Sequence, residues 1–414
     1  MPPTPELDTS PHAHARASSA NGPERIIVPP PVLLVEDATA LETLVEPAPA
    51  LLDQGTPVEL WAIVLAGGIG SRFWPLSTAD RPKQLLALVT ERPLICETVM
   101  RLAPLIPPER VLVVTSRDIA ERIHGAIREV PTENLLVEPR PLGTAAALAW
   151  GASEVVRRAG DHAVCCTIHA DLAIAFPDAL RAVLQSAARL ARDHDALVAV
   201  GARPTRPETA FGYIRPGSAL APDEDNDHGS PTWASRFVEK PDSSEAERLI
   251  ATGALWHTGI LLARSGSILS ALAAHTPEVA LGLDDLAAGD VERFAWSIRS
   301  TSIERGLLER SDRLMVVPAE FGWDDVGTWE SLRRARDLDD NGNGARGPVH
   351  FADATGNVVH TEAGAVVMYG VSQLLVVVLP GLTFVTTLER AKDLKPLLDA
   401  LPGSMRMRPA RRGK

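Results

Sequence analysis

The chain has 414 residues, 45% of them hydrophobic and 23% charged, with a net charge of −12 at pH 7. That length and balance suit a globular protein of two or three domains. The acidic excess excludes a general nucleic-acid binder, and it makes each Arg or Lys near a candidate anion site informative.

Residues 1–58 read as a disordered or loosely docked N-terminal extension. Met1 to Glu24 is rich in Pro, Ser, Ala and His, and Pro29-Pro30-Pro31 with Pro47 and Pro49 forbids a long element. No positively charged start with an apolar block follows Met1, so no secretory leader is expected. A body spanning 59–340 then begins. Trp61 to Leu65 predicts a buried strand that runs into Leu65-Ala66-Gly67-Gly68-Ile69-Gly70-Ser71-Arg72-Phe73-Trp74-Pro75-Leu76-Ser77, and on to Arg81-Pro82-Lys83-Gln84. A helix is expected over 84–105, a strand over 111–115, a helix over 119–128, and a strand over 135–139. A helix over 144–159, a strand over 163–168, a helix over 177–193 and a strand over 197–200 follow. This alternation predicts a parallel sheet covered on both faces. Ligands on such sheets bind at the carboxyl ends of the strands, where the glycine loop, Glu138 and Asp171 all fall.

The rhythm then changes. Gly212 to Arg215 and Trp233 to Val238 predict a strand pair around an acidic loop, Asp223 to Asp227. A short helix over 242–252, a strand over 256–262, helices over 267–274 and 279–287, and a strand over 314–317 complete the body, with a closing helix near Asp337. Asn341 to Gly347 reads as a linker. Residues 347–402 form a C-terminal β domain of short strands with a final helix over 390–401, and 403–414 a basic tail. Val371 to Leu388 carries no charge, but Pro380-Gly381 divides it, so two strands and a turn are expected rather than a membrane span. Cys96, Cys165 and Cys166 lack metal spacing; the adjacent pair reads as strand core, and the usage suits a reducing cytoplasm.

The glycine loop carries the first chemical inference. Its glycines permit a sharp turn and close backbone approach by a ligand, and successive free N–H groups there form an anion-binding concavity. Arg72 and Lys83 add two cations, which together suit a polyphosphate. The Gly-Lys-Ser/Thr ending of a P-loop and the spacing of a dinucleotide loop are both absent. The string resembles the signature of the sugar-1-phosphate nucleotidylyltransferases, and more narrowly of the mannose-1-phosphate guanylyltransferases: L-A-G-G-x-G-x-R-x-x-P-L-S, a spacer, then P-K-Q. Phe237-Val238-Glu239-Lys240-Pro241 and Trp323-Asp324-Asp325-Val326-Gly327 resemble two further motifs of that family, F-x-E-K-P and W-x-D-x-G.

The resemblance covers roughly 59–400. It implies an α/β fold, with a Rossmann-like nucleotidyltransferase domain on a mostly parallel mixed sheet and a small C-terminal left-handed β-helix-like domain. It implies transfer of GMP from GTP to mannose 1-phosphate with Mg²⁺, in a cytoplasmic enzyme without nucleic-acid or membrane partners and compatible with a homodimer. Arg72, Lys83 and Lys240 would be catalytic. Leu65, Ala66, Gly67, Gly68, Gly70, Glu138 and Thr144 would bind the nucleotide. Gly212, Tyr213, Glu239, His257 and Thr258 would bind the sugar, and Asp171 and Asp325 the metal, with Asp324 a competing ligand. Three departures touch specificity: Leu142-Gly143-Thr144 where the mannose branch has Asn-Thr-Ala, His257 where Asn is usual, and Leu172 where His is usual. Another sugar 1-phosphate such as a manno-heptose 1-phosphate, another nucleotide, or a silent nucleotide-sugar-binding subunit are the competing readings. A scaffold docking through 26–60 is a third. No isomerase domain is expected after the β domain.

Overall fold

The computed structural model describes residues 57–402 except 69 and 221–229. Residues 1–56 of the N-terminal extension, the acidic loop and the basic tail lie outside the described residues; Val58, placed in the extension by the sequence, is buried in the body and its backbone N–H donates to Gln185 Oε1 at 3.0 Å.

One large sheet organises the body. Its strands are β1 (Leu60–Leu65), β2 (Val111–Ser116), β3 (Leu135–Glu138), β4 (Val164–His169), β5 (Leu197–Ala202), β6 (Gly212–Ala219), β7 (Thr232–Glu239), β8 (Leu255–Arg264) and β9 (Leu314–Pro318). They lie in the order β3-β2-β1-β4-β8-β5-β9-β7-β6. β1, β2, β3 and β4 pair in parallel, as do β5 and β9. β8 enters antiparallel between β4 and β5. The parallel run read from the first five strands is therefore interrupted, which makes the sheet mixed as the resemblance implied, and the β6–β7 hairpin closes the far edge. β8 is buried on both sides along nearly its whole length, as a central strand must be.

Successive strand residues feed two cores. Ala62, Val64, Val113, Cys166 and Ile168 pack under the helices Leu94–Leu102 and Pro177–His194. Ile63, Leu65, Leu112, Val114 and Cys165 pack under Thr144–Ala159 and Ser265–His275. The period of two thus sends adjacent Cys165 and Cys166 to opposite faces. Burial pushes both thiols up, Cys166 to about 12, so neither is a thiolate at neutral pH.

The helix expected over 84–105 is shorter. A single turn at Lys83–Leu85 gives way to an irregular stretch, and the helix starts only at Leu94. Pro93 holds an extended conformation before it and disfavours helix at Arg92. The helix expected over 279–287 splits into Pro277–Ala280 and Leu283–Ala287, and the final one into Leu388–Ala391 and Lys395–Ala400.

The C-terminal strands are β10 (Gly344–Arg346), β11 (Val349–Ala352), β12 (Val358–Thr361), β13 (Val366–Tyr369), β14 (Leu374–Leu379) and β15 (Leu382–Thr387). β10, β12 and β14 stack in parallel, β11 pairs in parallel with β13, and β15 turns back on β14. The turn after Leu379 is the one read from Pro380-Gly381, and no helix among the described residues is long and apolar enough to cross a membrane. The expected linker is instead structural. Asn343 is buried and donates through Nδ2 to the Ala354 carbonyl at 2.8 Å and to Asp339 Oδ2 at 2.9 Å. Its Oδ1 accepts from the Asn357 backbone and side chain, each at 2.9 Å. Asn357 Oδ1 in turn accepts from Leu374 N at 2.9 Å, so a polar ladder spans successive coils.

Candidate active site

Two cavities open where β1, β3 and β4 end, and they share Gly70, Thr144, His169 and Asp171. The first, about 410 Å³, is a largely apolar slot between Leu65, Ala66, Val114, Leu142 and Ala147, with Gly67, Gly68, Gln84 and Glu138 in its wall. The second, about 520 Å³, is more polar, and Arg72, Lys83, Glu239, Lys240, His257 and Asp325 line it.

The glycine loop is braced from below. Buried Gln84 donates to the Ala66 carbonyl at 2.8 Å, and Thr115 Oγ1 donates to the same oxygen at 3.1 Å. Gly70 has φ of +70°, and a Cβ there would lie 2.4 Å from that of Lys83. Bare backbone at Gly70 is thus what lets Lys83 pass beneath the loop. The buried Lys83 ammonium reaches Asp171 Oδ2 at 2.9 Å and the Asp325 carbonyl at 2.7 Å. Two acidic residues far apart in sequence are therefore gathered on one cation.

Their environments differ. Burial alone would raise Asp171, but Lys83 and His169 outweigh it and hold its carboxyl below the ordinary range. Burial and then the neighbouring Asp324 push Asp325 up to about 6. Asp324 is turned aside, paired with Arg334 at 3.2 Å and accepting from Val326 N at 2.8 Å. Gly327 leaves room for Asp325, since a Cβ there would sit 2.3 Å from its Oδ2.

On the sugar side of the expectation, β7 delivers Glu239 and Lys240 in mutual contact. Burial raises Glu239, and Lys240 partly offsets it. Gly212 leaves space that a Cβ would close, 2.7 Å from Phe237 and 3.0 Å from Glu239 Oε2. Thr258 lines the cavity while its hydroxyl donates to the Val200 carbonyl at 2.8 Å. Tyr213 is a correction: its side chain is fully buried away from both cavities, and its hydroxyl donates to the Glu208 carbonyl at 3.0 Å. Alternation along β6 turns it to the face opposite the cleft.

Three residues escaped the sequence reading. His169 ends β4 and lines both cavities; Ser302 and Glu304 line the second. Burial lowers His257 to about 4, with Glu304 opposing and His169 adding to the fall. Burial would raise Glu304, but His257 and His169 hold it low. The 300–304 strap also closes on the first cavity: Ile303 N donates to Thr144 Oγ1 at 3.0 Å, and a Cβ on Gly143 would meet the Thr301 carbonyl at 2.5 Å. A His before Ala-Asp at a strand end was the one available signal for His169; nothing in the local pattern marked Glu304. Among the described residues no group of three or more His, Cys, Asp or Glu is placed to hold a metal by itself.

A mixed sheet with a glycine-loop slot and an adjoining polar cavity defines a nucleotidyl transferase. Residues 61–341 match the Nucleotidyl transferase family model, and the chain belongs to that family. It is 31% identical over 355 residues to the alginate biosynthesis protein AlgA of Pseudomonas putida, a match covering 82% of this chain and 71% of the relative. It is 30% identical over 357 residues to the mannose-1-phosphate guanylyltransferase of Escherichia coli, covering 83% and 73%. A solved structure from Thermus thermophilus, described as a mannose-1-phosphate geranyltransferase, aligns with a TM-score of 0.75 at 33% identity over 83% of this chain and 99% of that one. The chain thus groups with the mannose-1-phosphate guanylyltransferases, as the glycine signature implied.

Proposed function

We propose that this protein transfers GMP from GTP to mannose 1-phosphate, giving GDP-mannose and pyrophosphate. The observation that carries the reading is the junction of the two cavities at Asp171, beside the Lys83 ammonium. A nucleotide in the first cavity and a sugar phosphate in the second meet there.

The reaction forms a bond from a sugar-phosphate oxygen to the α-phosphorus while the bond from that phosphorus to the bridging β-oxygen breaks. Pyrophosphate leaves with the electron pair. The nucleophile is already an anion, so the chain's task is to align two anions and neutralise migrating charge. Arg72 takes the β- and γ-phosphates, Lys83 the α-phosphate region, and Lys240 the sugar phosphate. Backbone at Leu65, Ala66, Gly67, Gly68 and Gly70 cradles the triphosphate, with Thr144 at the start of its helix. Glu138, the carboxylate in the apolar slot, accepts from guanine N1–H and the 2-amino group, a donor pair that adenine lacks. Gly212, Glu239, His257 and Thr258 take the sugar, while Tyr213 supports them from the core.

Asp171 and Asp325 fit a divalent cation. Mg²⁺ beside phosphates is held by one or two carboxylates, and Asp171 and Asp325 both line the second cavity, the Asp171 carboxylate and the Asp325 backbone carbonyl each within reach of the Lys83 ammonium. When bound, the ion supplies positive charge to the phosphate oxygens. We further infer that 59–340 is the catalytic domain and that 347–402 is a left-handed β-helix, a reading supported by its stacked parallel strands and Asn ladder. Cytoplasmic placement and a homodimer complete the proposal.

The test is pyrophosphate release across a panel of nucleotides and sugar 1-phosphates. GTP with mannose 1-phosphate should give the highest kcat/KM. A higher value for another pair, such as a manno-heptose 1-phosphate, ends the proposal in favour of that substrate. His257 gives this second reading its basis, because its buried Nδ1 has no hydrogen-bond partner among the described residues and a different sugar hydroxyl could engage it.

A further inference from the structure

We infer that the C-terminal β domain is a working part of the active site: Phe384 and Glu362 position Arg72 and Lys83 by holding Trp74 and Arg81. A loop with three glycines has little stiffness of its own. Yet Phe73, Trp74 and Leu76, immediately after Arg72, are all buried. What buries them is distant in sequence. Trp74 meets Phe384 of β15 edge-on with ring centroids 5.1 Å apart, and Phe73 meets Trp329 at 5.2 Å. One apolar core joins Leu76, Leu86 and Leu88 of the signature segment to Val358, Leu375 and Val377 of the β domain.

Polar ties flank that core. Arg81 pairs with Glu362 at 2.8 Å, Arg336 Nε donates to the Leu88 carbonyl at 2.9 Å, and Arg346 pairs with Glu91 at 2.9 Å. The segment from Phe73 to Glu91 is therefore clamped along its length, and Lys83 lies within it with its Nζ 5.8 Å from the Phe73 ring centre. The sugar side, by contrast, is built on β6, β7 and β8 inside the main sheet. Reacting groups held loosely by about 1 Å lose roughly a hundredfold in rate, so a clamp on this segment bears directly on turnover.

The kinetic arm of the test rests on the catalytic reading of Arg72 and Lys83; the exchange arm does not. In the full chain, Phe384→Ala should raise amide hydrogen exchange across 66–84 while leaving 212–240 at the wild-type level. It should lower kcat per folded molecule about tenfold with the KM for mannose 1-phosphate within about twofold. Phe384→Tyr should restore both, and Val385→Ala, exposed on the same strand, should change neither. Unchanged exchange at 66–84, or exchange rising evenly through the chain with kcat lost only in step with folded fraction, overturns the inference. Should Phe384→Ala not fold, Glu362→Gln carries the test from outside the core. It should raise exchange at 78–86 and lower kcat about threefold, and no change in either refutes the positioning role. A wild-type chain that turns over no substrate pair counts against the functional proposal, while the exchange data still decide this one.

Discussion

Replacing Glu138 by Gln tests the base-reading assignment and yields two effects of opposite sign. Glu138 is 7% exposed at the end of β3 and accepts a hydrogen bond from Leu142 N–H. The substitution Glu138→Gln presents an amide, with one acceptor and one donor, to a pair of donors on the base. It loses a charge-assisted bond and sets N–H against N–H. Such a mismatch costs about 2 kcal/mol, or roughly thirtyfold in kcat/KM for GTP. Uracil, with a single ring N–H between two carbonyls, should be affected much less. Stability moves the other way. Burial raises the Glu138 carboxyl from 4.5 to about 7, so the folded chain holds this proton more tightly than the unfolded chain. The associated stability is full below pH 4.5 and lost as pH rises through about 7. At pH 8 the buried charge costs about 3 kcal/mol, which the amide avoids. Glu138→Gln should therefore melt above wild type at pH 8 and level with it near pH 4.5, while pyrophosphate release shows the loss with GTP. For wild type, the KM for GTP should rise as pH falls below 7, because guanine needs the ionised acceptor. A variant that keeps its GTP kcat/KM within about twofold, loses GTP and UTP equally, or melts lower at pH 8 would refute the reasoning.

Asp171→Asn should lower turnover by at least about a hundredfold, and chelating divalent cations should silence the wild type, both read as pyrophosphate release. Gly70→Ala places a Cβ 2.4 Å from that of Lys83 at φ +70°; it should cost about 2 kcal/mol in urea unfolding and most of the activity. Asn343→Ala strips the ladder and leaves Asp339 and Asn357 with unmet groups; a loss of about 3 kcal/mol should appear in thermal melts, with kcat of the folded fraction changed less than in Phe384→Ala.

Much of this molecule is legible locally. The apolar run before Gly67, the strand ends at Glu138 and His169, and the helix Thr144–Ala159 follow from period, turn residues and length, because each depends on neighbours within a few positions. The glycine, F-V-E-K-P and W-D-D-V-G motifs named the residues that line the cleft for the same reason: their chemistry sits in short strings. Tyr213 was misplaced within such a string, since a motif fixes the residue but only strand alternation fixes the face.

Other features belong to the tertiary structure alone. The antiparallel entry of β8 between β4 and β5 is a choice of partners, and an apolar strand pattern is equally satisfied by either neighbour. Glu304 and His169 meet His257 only after three separate segments converge. Asn343 reads as loop until Asn357 arrives with its hydrogen bonds. Composition and motif determined which side chains this protein has available for phosphate chemistry. Packing decided which of them share one cation, and it set Phe384 and Glu362 against Trp74 and Arg81, just after a glycine loop far earlier in the chain, because burial and electrostatic pairing act through space and leave no periodic trace along the sequence.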